Sequence, residues 1–332
     1  MYPTHSAPEV ETPACVGCGG TDVKDLYAVC DRRYEVPGSF RMVECTACQL
    51  RFVSPRPTAS AIAAYYPDSY PAHQKRGAGG DGGFFSRVWD GYQRMFLSHA
   101  YPTFYYRKHI DRFRTDGDPP RVLDVGCGSG QKLQYLRNAG WDPHGVDFSR
   151  MAVDNARASG IAKAVVSDSS EIPFESNHIH AAMSWHSIEH HYDPVATLRE
   201  IHRVLRPGGR AILAIPGSDS LGMRVFRSYW GPLEVPRHLY HFTRKTFTDL
   251  TSRVGFNTLK VYYDFSFYGL FWDQEVLESV ENLFRARGVK FRFPRIPGMS
   301  VAMRVPVLPL NPLLGRFWQG SNMIVHLQKP AE

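Results

Sequence analysis

The chain of 332 residues contains no apolar run approaching the roughly 18 residues that a membrane-spanning helix needs. Cysteine is scarce, with six residues in all, and no internal repeat of solenoid length is present. The first ten residues are neither basic nor apolar, so no secretory signal is expected. These absences predict a globular cytoplasmic protein whose cysteines serve as thiols or metal ligands rather than as disulfides.

Acidic residues are outnumbered, since 32 Asp and Glu face 39 Lys and Arg for a net charge of +7. This excess permits acidic partners such as nucleic acid, anionic lipid or phosphorylated substrates. It is equally ordinary for a soluble protein without such partners. The length allows two domains, or one domain with a substantial addition.

Four of the six cysteines form two C-x-x-C pairs, namely Cys15, Cys18, Cys45 and Cys48. Each pair places two thiolates on one tight turn, and two such turns complete a tetrahedral sulfur site for Zn²⁺. Four protein ligands leave no open position, so the zinc is expected to be structural. We therefore predict a zinc-binding ribbon over residues 1–56, too short to build much core without a metal. Cys30 and Cys127 are expected to be buried as small hydrophobic residues.

Residues 57–118 form an aromatic-rich segment that we interpret as a helical linker or cap. Residues 75–83, KRGAGGDGG, are typical of a flexible linker. Apolar residues then recur at helical spacing on both sides of Pro102, which predicts two helices broken near that proline. The segment could pack on the following domain, cover a substrate as a lid, or rest on a membrane surface.

Strand and helix patterns alternate beyond residue 119. Apolar periodicity predicts strands at 121–125, 142–147, 163–167, 180–185 and 210–215, with helices near 130–139, 149–158 and 195–206. A glycine-containing turn at 203–209 is expected to end the last of these helices. Such alternation predicts a mostly parallel sheet with ligands bound at the carboxyl ends of its strands.

The last third of the chain holds further strand patterns at 258–266 and 321–329 and a helix that begins at Thr243 or Lys245. An insertion at about 267–320 contains an amphipathic helix and an apolar, proline-rich stretch. This insertion could form a cap, a pocket for a hydrophobic acceptor, a dimer contact or a dock at a membrane edge.

A glycine-rich turn follows the first predicted strand with the pattern Asp124-x-Gly126-x-Gly128-x-Gly130. Glycine at every second position differs from the dinucleotide fingerprint and suits a ligand with an amino-acid end better than a pyrophosphate. Asp147 ends the second strand, where a carboxylate can accept hydrogen bonds from both ribose hydroxyls. Asp168 ends the third and could meet an adenine amino group. Either aspartate alone could be a helix cap, but three successive strand ends together predict adenosine binding.

Over residues 121–216 the motifs VLDVGCGSG, GVDFS, IPF, IEH and EIHRVLRPGGRAIL occur in an order and spacing that resembles the class I S-adenosylmethionine-dependent methyltransferases. The resemblance implies an α/β, Rossmann-like methyltransferase fold with an antiparallel last strand over residues 119–332, joined here to a zinc ribbon and a helical cap. It also implies S-adenosylmethionine as cofactor. The implied cofactor-binding residues are Asp124, Gly126, Cys127, Gly128, Gly130, Asp147, Phe148, Asp168, Ser169 and Trp185.

A histidine-rich loop, SWHSIEHHYDP, follows the fourth predicted strand and contains His186, Glu189 and His190. The pattern His-x-x-Glu-His also marks inverted zinc peptidases, but those require a helix in a peptidase fold. The loop is similar to that of ubiquinone-pathway O-methyltransferases, where Glu-x-x-Glu-His holds a divalent metal. His186 replaces the first carboxylate here, which disfavours magnesium. A metal at these three residues and a structural role for them both stay open.

A second histidine cluster lies in PRHLYHFT, residues 236–243, which resembles a segment of methyltransferases with this kind of zinc module. Methyl transfer to a hydroxyl needs a general base, and the candidates are His186, His190, His238 and His241. We expect a small-molecule acceptor such as a specialised metabolite, a glycan precursor or a lipid-like compound. RNA methylation by a zinc-ribbon enzyme and a non-catalytic binding protein are the alternatives, and the sequence leaves the oligomeric state open.

Overall fold

The computed structural model describes residues 9–67, 119–264, 269–289, 291 and 321–331. Within these residues the chain builds a seven-stranded sheet, a four-stranded sheet and a two-stranded ribbon. The helices predicted around Pro102 and the proline-rich part of the insertion lie outside the described residues. No helix of the described residues combines the length and apolarity needed to cross a membrane.

The N-terminal strands alternate with turns at the two cysteine pairs. Their bounds are Val10–Glu11 (β1), Val23–Val29 (β2), Phe40–Cys45 (β3), Arg51–Val53 (β4) and Arg56–Pro57 (β5). β1 pairs with β5, and β2, β3 and β4 form an antiparallel meander. A 3-10 turn, Ile62–Tyr65, follows. The fourth strand of the meander, Tyr240–His241 (β11), comes from much later in the chain and pairs antiparallel with β4.

The large sheet has the strand order β12-β13-β10-β9-β6-β7-β8. Its strands are Arg121–Val125 (β6), Asp142–Asp147 (β7), Lys163–Val166 (β8), Ile179–Trp185 (β9), Leu205–Pro216 (β10), Asn257–Asp264 (β12) and Asn322–Gln328 (β13). β13 runs antiparallel to both of its neighbours, while the pairs among β6 to β10 are parallel. The predicted α/β fold with an antiparallel last strand is confirmed.

Six helices are described: Gln131–Asn138 (α1), Arg150–Ala158 (α2), Pro194–Val204 (α3), Leu221–Phe226 (α4), Arg244–Val254 (α5) and Gly269–Ala286 (α6). Side-chain caps fix where several of them begin. The Asp193 carboxylate accepts from the Ala196 amide at 2.8 Å, and Thr243 forms a capping box with Thr246 at the start of α5. The position predicted for α5 is therefore confirmed.

Two predictions from the sequence are wrong in detail. Helix α3 ends at Val204 without a glycine, because Leu205 already pairs with Ile179 as the start of β10. Gly208 adopts its φ of 74° inside an irregular stretch of that strand. Cys30 is exposed rather than buried, since it follows the end of β2, whereas Cys127 is buried as expected.

The hydrophobic core is continuous from the N-terminal sheet into the large one. Cys15, Val43 and Phe52 of the N-terminal segment share one buried cluster with Leu123 of β6 and Phe247 of α5. A segment of about fifty residues buries too little apolar surface to fold on its own. The core of the large sheet therefore supplies part of the burial that the N-terminal segment needs.

A buried ion pair also joins the loop after β2 to the segment that precedes β11. Arg237 is 0% exposed, and its Nη1 and Nη2 donate to the two carboxylate oxygens of Asp31 at 2.8 and 2.7 Å. Nη1 also donates to the Tyr65 carbonyl, and Nε donates to Glu234. Burial alone would lower the pKa of the guanidinium, but the bond to Asp31 and the charge of Glu234 raise it. Such a bidentate pair has a fixed geometry and orients both segments.

We expect Asp31→Ala to lower the free energy of unfolding by about 3 to 5 kcal/mol, because it leaves two donors of the buried Arg237 guanidinium without their carboxylate and only Glu234 to balance its charge. Urea denaturation measures the change. Asp25→Ala is the matched control, since Asp25 pairs with Arg41 at 2.9 Å with 59% and 55% of the side chains exposed, and its loss should cost at most about 1 kcal/mol. Equal losses in the two variants would contradict the importance of the buried pair.

Candidate functional site

The glycine turn after β6 depends on left-handed backbone. Gly126, Gly128 and Gly130 have φ values of 78°, 52° and 75°, which residues with a Cβ rarely adopt. A Cβ on Gly126 would lie 2.6 Å from Cβ of Ser187, so the turn passes directly against the histidine-rich loop. A Cβ on Gly128 would meet no described atom within 4 Å. The turn is therefore closed on one side by the loop and open at Gly128.

Asp124 is a buried carboxylate at the end of β6. It is 0% exposed, and neither of its oxygens has a hydrogen-bond partner among the described residues. The Lys132 ammonium lies 3.8 Å from its Oδ2. Burial raises the pKa of Asp124 to about 7, an effect that Lys132 reduces and the charge of Asp147 reinforces. A buried acceptor without a donor suits a ligand that brings its own positive group.

Asp147 ties the glycine turn to helix α2. Its Oδ2 accepts from the Gly128 amide at 2.8 Å, and its Oδ1 accepts from the Ser149 amide at 2.9 Å. A carboxylate oxygen can accept more than one hydrogen bond, so both oxygens keep the capacity to meet ribose hydroxyls. The Phe148 side chain beside it is 63% exposed, and its ring lies 6.2 Å from the ring of Tyr66.

The other residues implied for the cofactor differ in accessibility. Asp168 is exposed, and its Oδ1 accepts from the amide and the hydroxyl of Ser170 at 2.9 and 2.7 Å. Those bonds lower the pKa of Asp168. Ser169 is buried with a φ of 67°. Cys127 and Trp185 have their side chains in the hydrophobic core, and the Cys127 amide donates to the Val146 carbonyl. Cys127 thus offers neither its side chain nor its amide to a ligand.

One carboxylate and two imidazoles from the two histidine-rich segments lie close together. Glu189, His190 and His238 each offer a ligand atom, and these atoms lie within 4.8 Å of one another. The rings of His190 and His238 are 4.5 Å apart between centroids. Burial lowers the pKa of both histidines, most strongly for His238. Both rings are therefore neutral near pH 7.

The remaining two candidate bases lie in different surroundings. His186 has 36% of its side chain exposed, and its Nδ1 lies 3.5 Å from Oε1 of Glu189. His241 belongs to β11 and is buried. Burial and the nearby Arg51 charge lower the pKa of His241 to about 3, which makes it a weak base. His186 is the candidate that combines solvent access with a carboxylate partner.

A family model described as a methyltransferase domain matches residues 97–261, the part of the chain that holds the glycine turn and both histidine segments. The chain belongs to the class I S-adenosylmethionine-dependent methyltransferases. An uncharacterised 37.1 kDa protein in a transposon of Streptomyces fradiae is 35% identical over 121 residues, which cover 32% of this chain and 35% of that protein.

Other relatives of this methyltransferase have more specific names. A malonyl-[acyl-carrier protein] O-methyltransferase of Pseudescherichia vulneris is 32% identical over 104 residues, or 31% of this chain and 41% of that one. A solved S-adenosylmethionine-dependent methyltransferase from Archaeoglobus fulgidus has a TM-score of 0.46 and 17% identity, and the match covers 74% of this chain and 100% of that chain. The chain spans only 35% of the length of the Streptomyces fradiae protein and 50% of the length of an uncharacterised protein of Methanocaldococcus jannaschii that is 28% identical over 132 residues, or 40% of this chain.

The four paired cysteines of the methyltransferase converge as the sequence predicts. Their sulfurs all lie within 4.8 Å of one another, with contacts of 3.4 Å between Cys15 and Cys48 and 3.5 Å between Cys18 and Cys45. Although burial raises the pKa of Cys45, backbone amides at Cys48 and Ala47 lower it to about 7. The two turns have matching geometry, since left-handed residues, Gly19 and Gln49, follow the second cysteine of each pair. The donor set fits a tetrahedral Zn²⁺.

Tyr66 is a residue of the site that the sequence analysis missed. Its hydroxyl lies 3.0 Å from Nδ1 of His190, and its ring lies 6.3 Å from that ring. Tyr66 precedes His190 by 124 residues and belongs to residues 57–118, which the sequence predicts as a linker or cap. The only local signal was the aromatic pair at 65–66, which packing would explain equally well.

We expect Asp124→Asn to stabilise the ligand-free protein and to weaken its binding of S-adenosylhomocysteine. Because the folded-state pKa of about 7 lies above the ordinary 3.8, the folded protein holds a proton that the unfolded chain releases. Its stability should fall as pH rises from about 4 to 7, by up to about 4 kcal/mol, and stay low above that range.

Denaturation at pH 5 and pH 8 with calorimetric titration of S-adenosylhomocysteine measures both effects. The variant should lose this pH dependence and be the more stable protein at pH 8. Asp154→Asn is the control, since Asp154 lies on α2 with 58% of its side chain exposed. A variant that is no more stable than the native protein at pH 8 would show that the Asp124 charge is compensated.

Proposed function

We propose that this protein transfers the methyl group of S-adenosylmethionine to a hydroxyl of a small-molecule acceptor. The observation that carries the proposal is the buried Asp124 carboxylate, which has no hydrogen-bond partner among the described residues, beside a glycine turn whose described surroundings leave Gly128 open. Asp124 would hold the cationic methionine end of the cofactor, and Asp147 would hold the ribose. Phe148, Asp168 and Ser169 would surround the adenine.

An oxygen acceptor is consistent with one relative, which is named an O-methyltransferase of a malonyl group on acyl-carrier protein. The sulfonium methyl is already activated, so the protein needs to align the acceptor and remove its proton. We assign proton removal to His186. The buried Glu189 carboxylate, 3.5 Å from its Nδ1, would orient the ring and stabilise its protonated form, as a carboxylate does in other nucleophile and base pairs.

His186→Asn should lower the rate of methyl transfer by about 10²- to 10⁴-fold while leaving S-adenosylhomocysteine affinity within about twofold. Asparagine tolerates the φ of 50° at this position. The assay follows radiolabelled methyl from the cofactor into hydroxylated metabolites and, separately, into RNA. Label in RNA alone would contradict a small-molecule acceptor. No transfer to either, with tight cofactor binding, would favour a binding protein, and an unchanged rate in the variant would exclude His186 as the base.

We also propose that Cys15, Cys18, Cys45 and Cys48 hold a structural zinc ion. When bound, the metal would link two turns, each of which contributes one cysteine, Cys15 or Cys45, to a buried core shared with the large sheet. Its removal should therefore destabilise more than the N-terminal segment. Four thiolates leave no coordination position for a substrate, so the ion would take no part in the methyl transfer.

Cys18→Ser should lose about one equivalent of zinc per chain and lower the melting temperature. Cys30→Ser is the control, because Cys18 and Cys30 are both exposed and only the first lies in the cluster. Elemental analysis and thermal denaturation measure the two effects. If Cys18→Ser retained its zinc and its melting temperature, the four thiols would form a metal-free cluster.

A further inference from the structure

A second group of metal-ligating side chains lies apart from the cysteines. Glu189 and His190 come from the loop after β9, and His238 comes from the segment just before β11. One ligand atom from each lies within 4.8 Å of the others. We propose that these three residues bind a divalent transition-metal ion in a site of two imidazoles and one carboxylate.

The Glu189 carboxylate provides the first argument. The residue is 1% exposed, and neither carboxylate oxygen has a hydrogen-bond partner among the described residues. Its close neighbours are imidazole nitrogens, Nε2 of His238 at 4.0 Å and Nδ1 of His186 at 3.5 Å from Oε1. A buried carboxylate without donors is costly. A cation placed between Glu189 and His238 would satisfy it.

The two histidines provide the second argument, because each is held by a backbone carbonyl. Nδ1 of His238 lies 2.8 Å from the Pro232 carbonyl, and Nδ1 of His190 lies 3.1 Å from the Arg237 carbonyl. A carbonyl only accepts, so Nδ1 of His238 carries the proton and its Nε2 keeps its lone pair. Nδ1 of His190 also lies 3.0 Å from the Tyr66 hydroxyl, which can donate or accept, so the Arg237 carbonyl decides the tautomer and Nδ1 of His190 carries the proton too. Metal-binding histidines in proteins are typically fixed in this way by an acceptor behind the ring. The rings are thus prepared as neutral ligands.

The composition of the site indicates which ions it would take. Two nitrogens and one oxygen suit Zn²⁺, Fe²⁺ or Co²⁺ better than Mg²⁺ or Ca²⁺. Three protein ligands leave at least one position open for an exogenous oxygen. Ser187 of the same loop abuts Gly126, so the loop that carries Glu189 and His190 also touches the cofactor turn. Use of the open position to hold an acceptor oxygen rests on the proposed function, whereas metal binding does not.

This ligand set differs from the one suggested by the sequence, which would use His186 in place of His238. His186 lies outside the converging group and has 36% of its side chain exposed. The two sets can be separated by one substitution in each histidine. Glu189→Gln, which keeps the size of the side chain, tests the ligand that both sets share.

Cobalt titration of the full chain with its cysteine site loaded with zinc tests the proposal. Visible absorption bands of Co²⁺ and elemental analysis report a second equivalent of metal. The native protein and His186→Asn should bind this cobalt with similar affinity. His238→Asn and Glu189→Gln should bind it at least about 100-fold more weakly. Loss of only the hydrogen-bond acceptor behind a metal-bound histidine already lowers metal affinity by about 10- to 100-fold, and these variants lose a ligand itself.

Thermal denaturation and S-adenosylhomocysteine titration accompany each variant, so that a folding defect or a failed cofactor site is recognised independently of metal binding. Native protein that takes up no second equivalent would overturn the proposal. Loss of cobalt in His186→Asn with retention in His238→Asn would assign the ion to the other set and equally overturn it.

Discussion

The buried pair between Arg237 and Asp31 is the contact on which the arrangement of this molecule depends. The side chain of Arg237 fixes Asp31 of the N-terminal segment with two hydrogen bonds. Its own backbone carbonyl faces Nδ1 of His190 in the histidine-rich loop. A single residue therefore connects the cysteine-bearing segment to the side chains beside the cofactor turn. Strand β11, which follows Arg237 in the sequence, pairs with β4 of the N-terminal segment. This pairing therefore connects the same two segments a second time.

As a consequence, the N-terminal segment and the large sheet share a hydrophobic core and a paired strand next to the site. The cysteine turns rest on a core that continues into the large sheet. The segment that carries His238 is in turn held between that core and Asp31. A substitution that destabilises the cysteine cluster should therefore also alter the positions of the histidines. The effect would pass through the pairing of β4 with β11 and the shared core, not through direct contact with the cysteines.

The parts of this structure that could be predicted are those with a local or periodic signal. Apolar runs and caps predicted the strands and helices from Arg121 to Pro216 and the start of α5 closely, and the glycine spacing predicted the position of the turn. The spacing of the cysteines correctly predicted their convergence. Each of these features is specified by residues within a few tens of positions of one another.

The rest depends on contacts between distant segments, for which a single sequence carries no pattern. Asp31 and Arg237 are 206 positions apart, and neither looks unusual among its neighbours. Two features of the site could not be predicted for the same reason: the contact of Tyr66 with His190, and the presence of His238 rather than His186 in the converging group. Cys30 was placed wrongly because burial at the end of a strand depends on what packs over it, which the strand itself does not determine.

Strand β13 has an implication for the synthesis of the protein. It lies between β10 and β12 and pairs with both, although it follows both of them in the sequence. While a nascent chain is still attached to the ribosome at these residues, β10 and β12 each present an unpaired edge. Exposed edges of this kind invite pairing with other chains. The large sheet is thus completed only after β13 has been translated, and a chaperone that shields the two edges until then would favour the correct product.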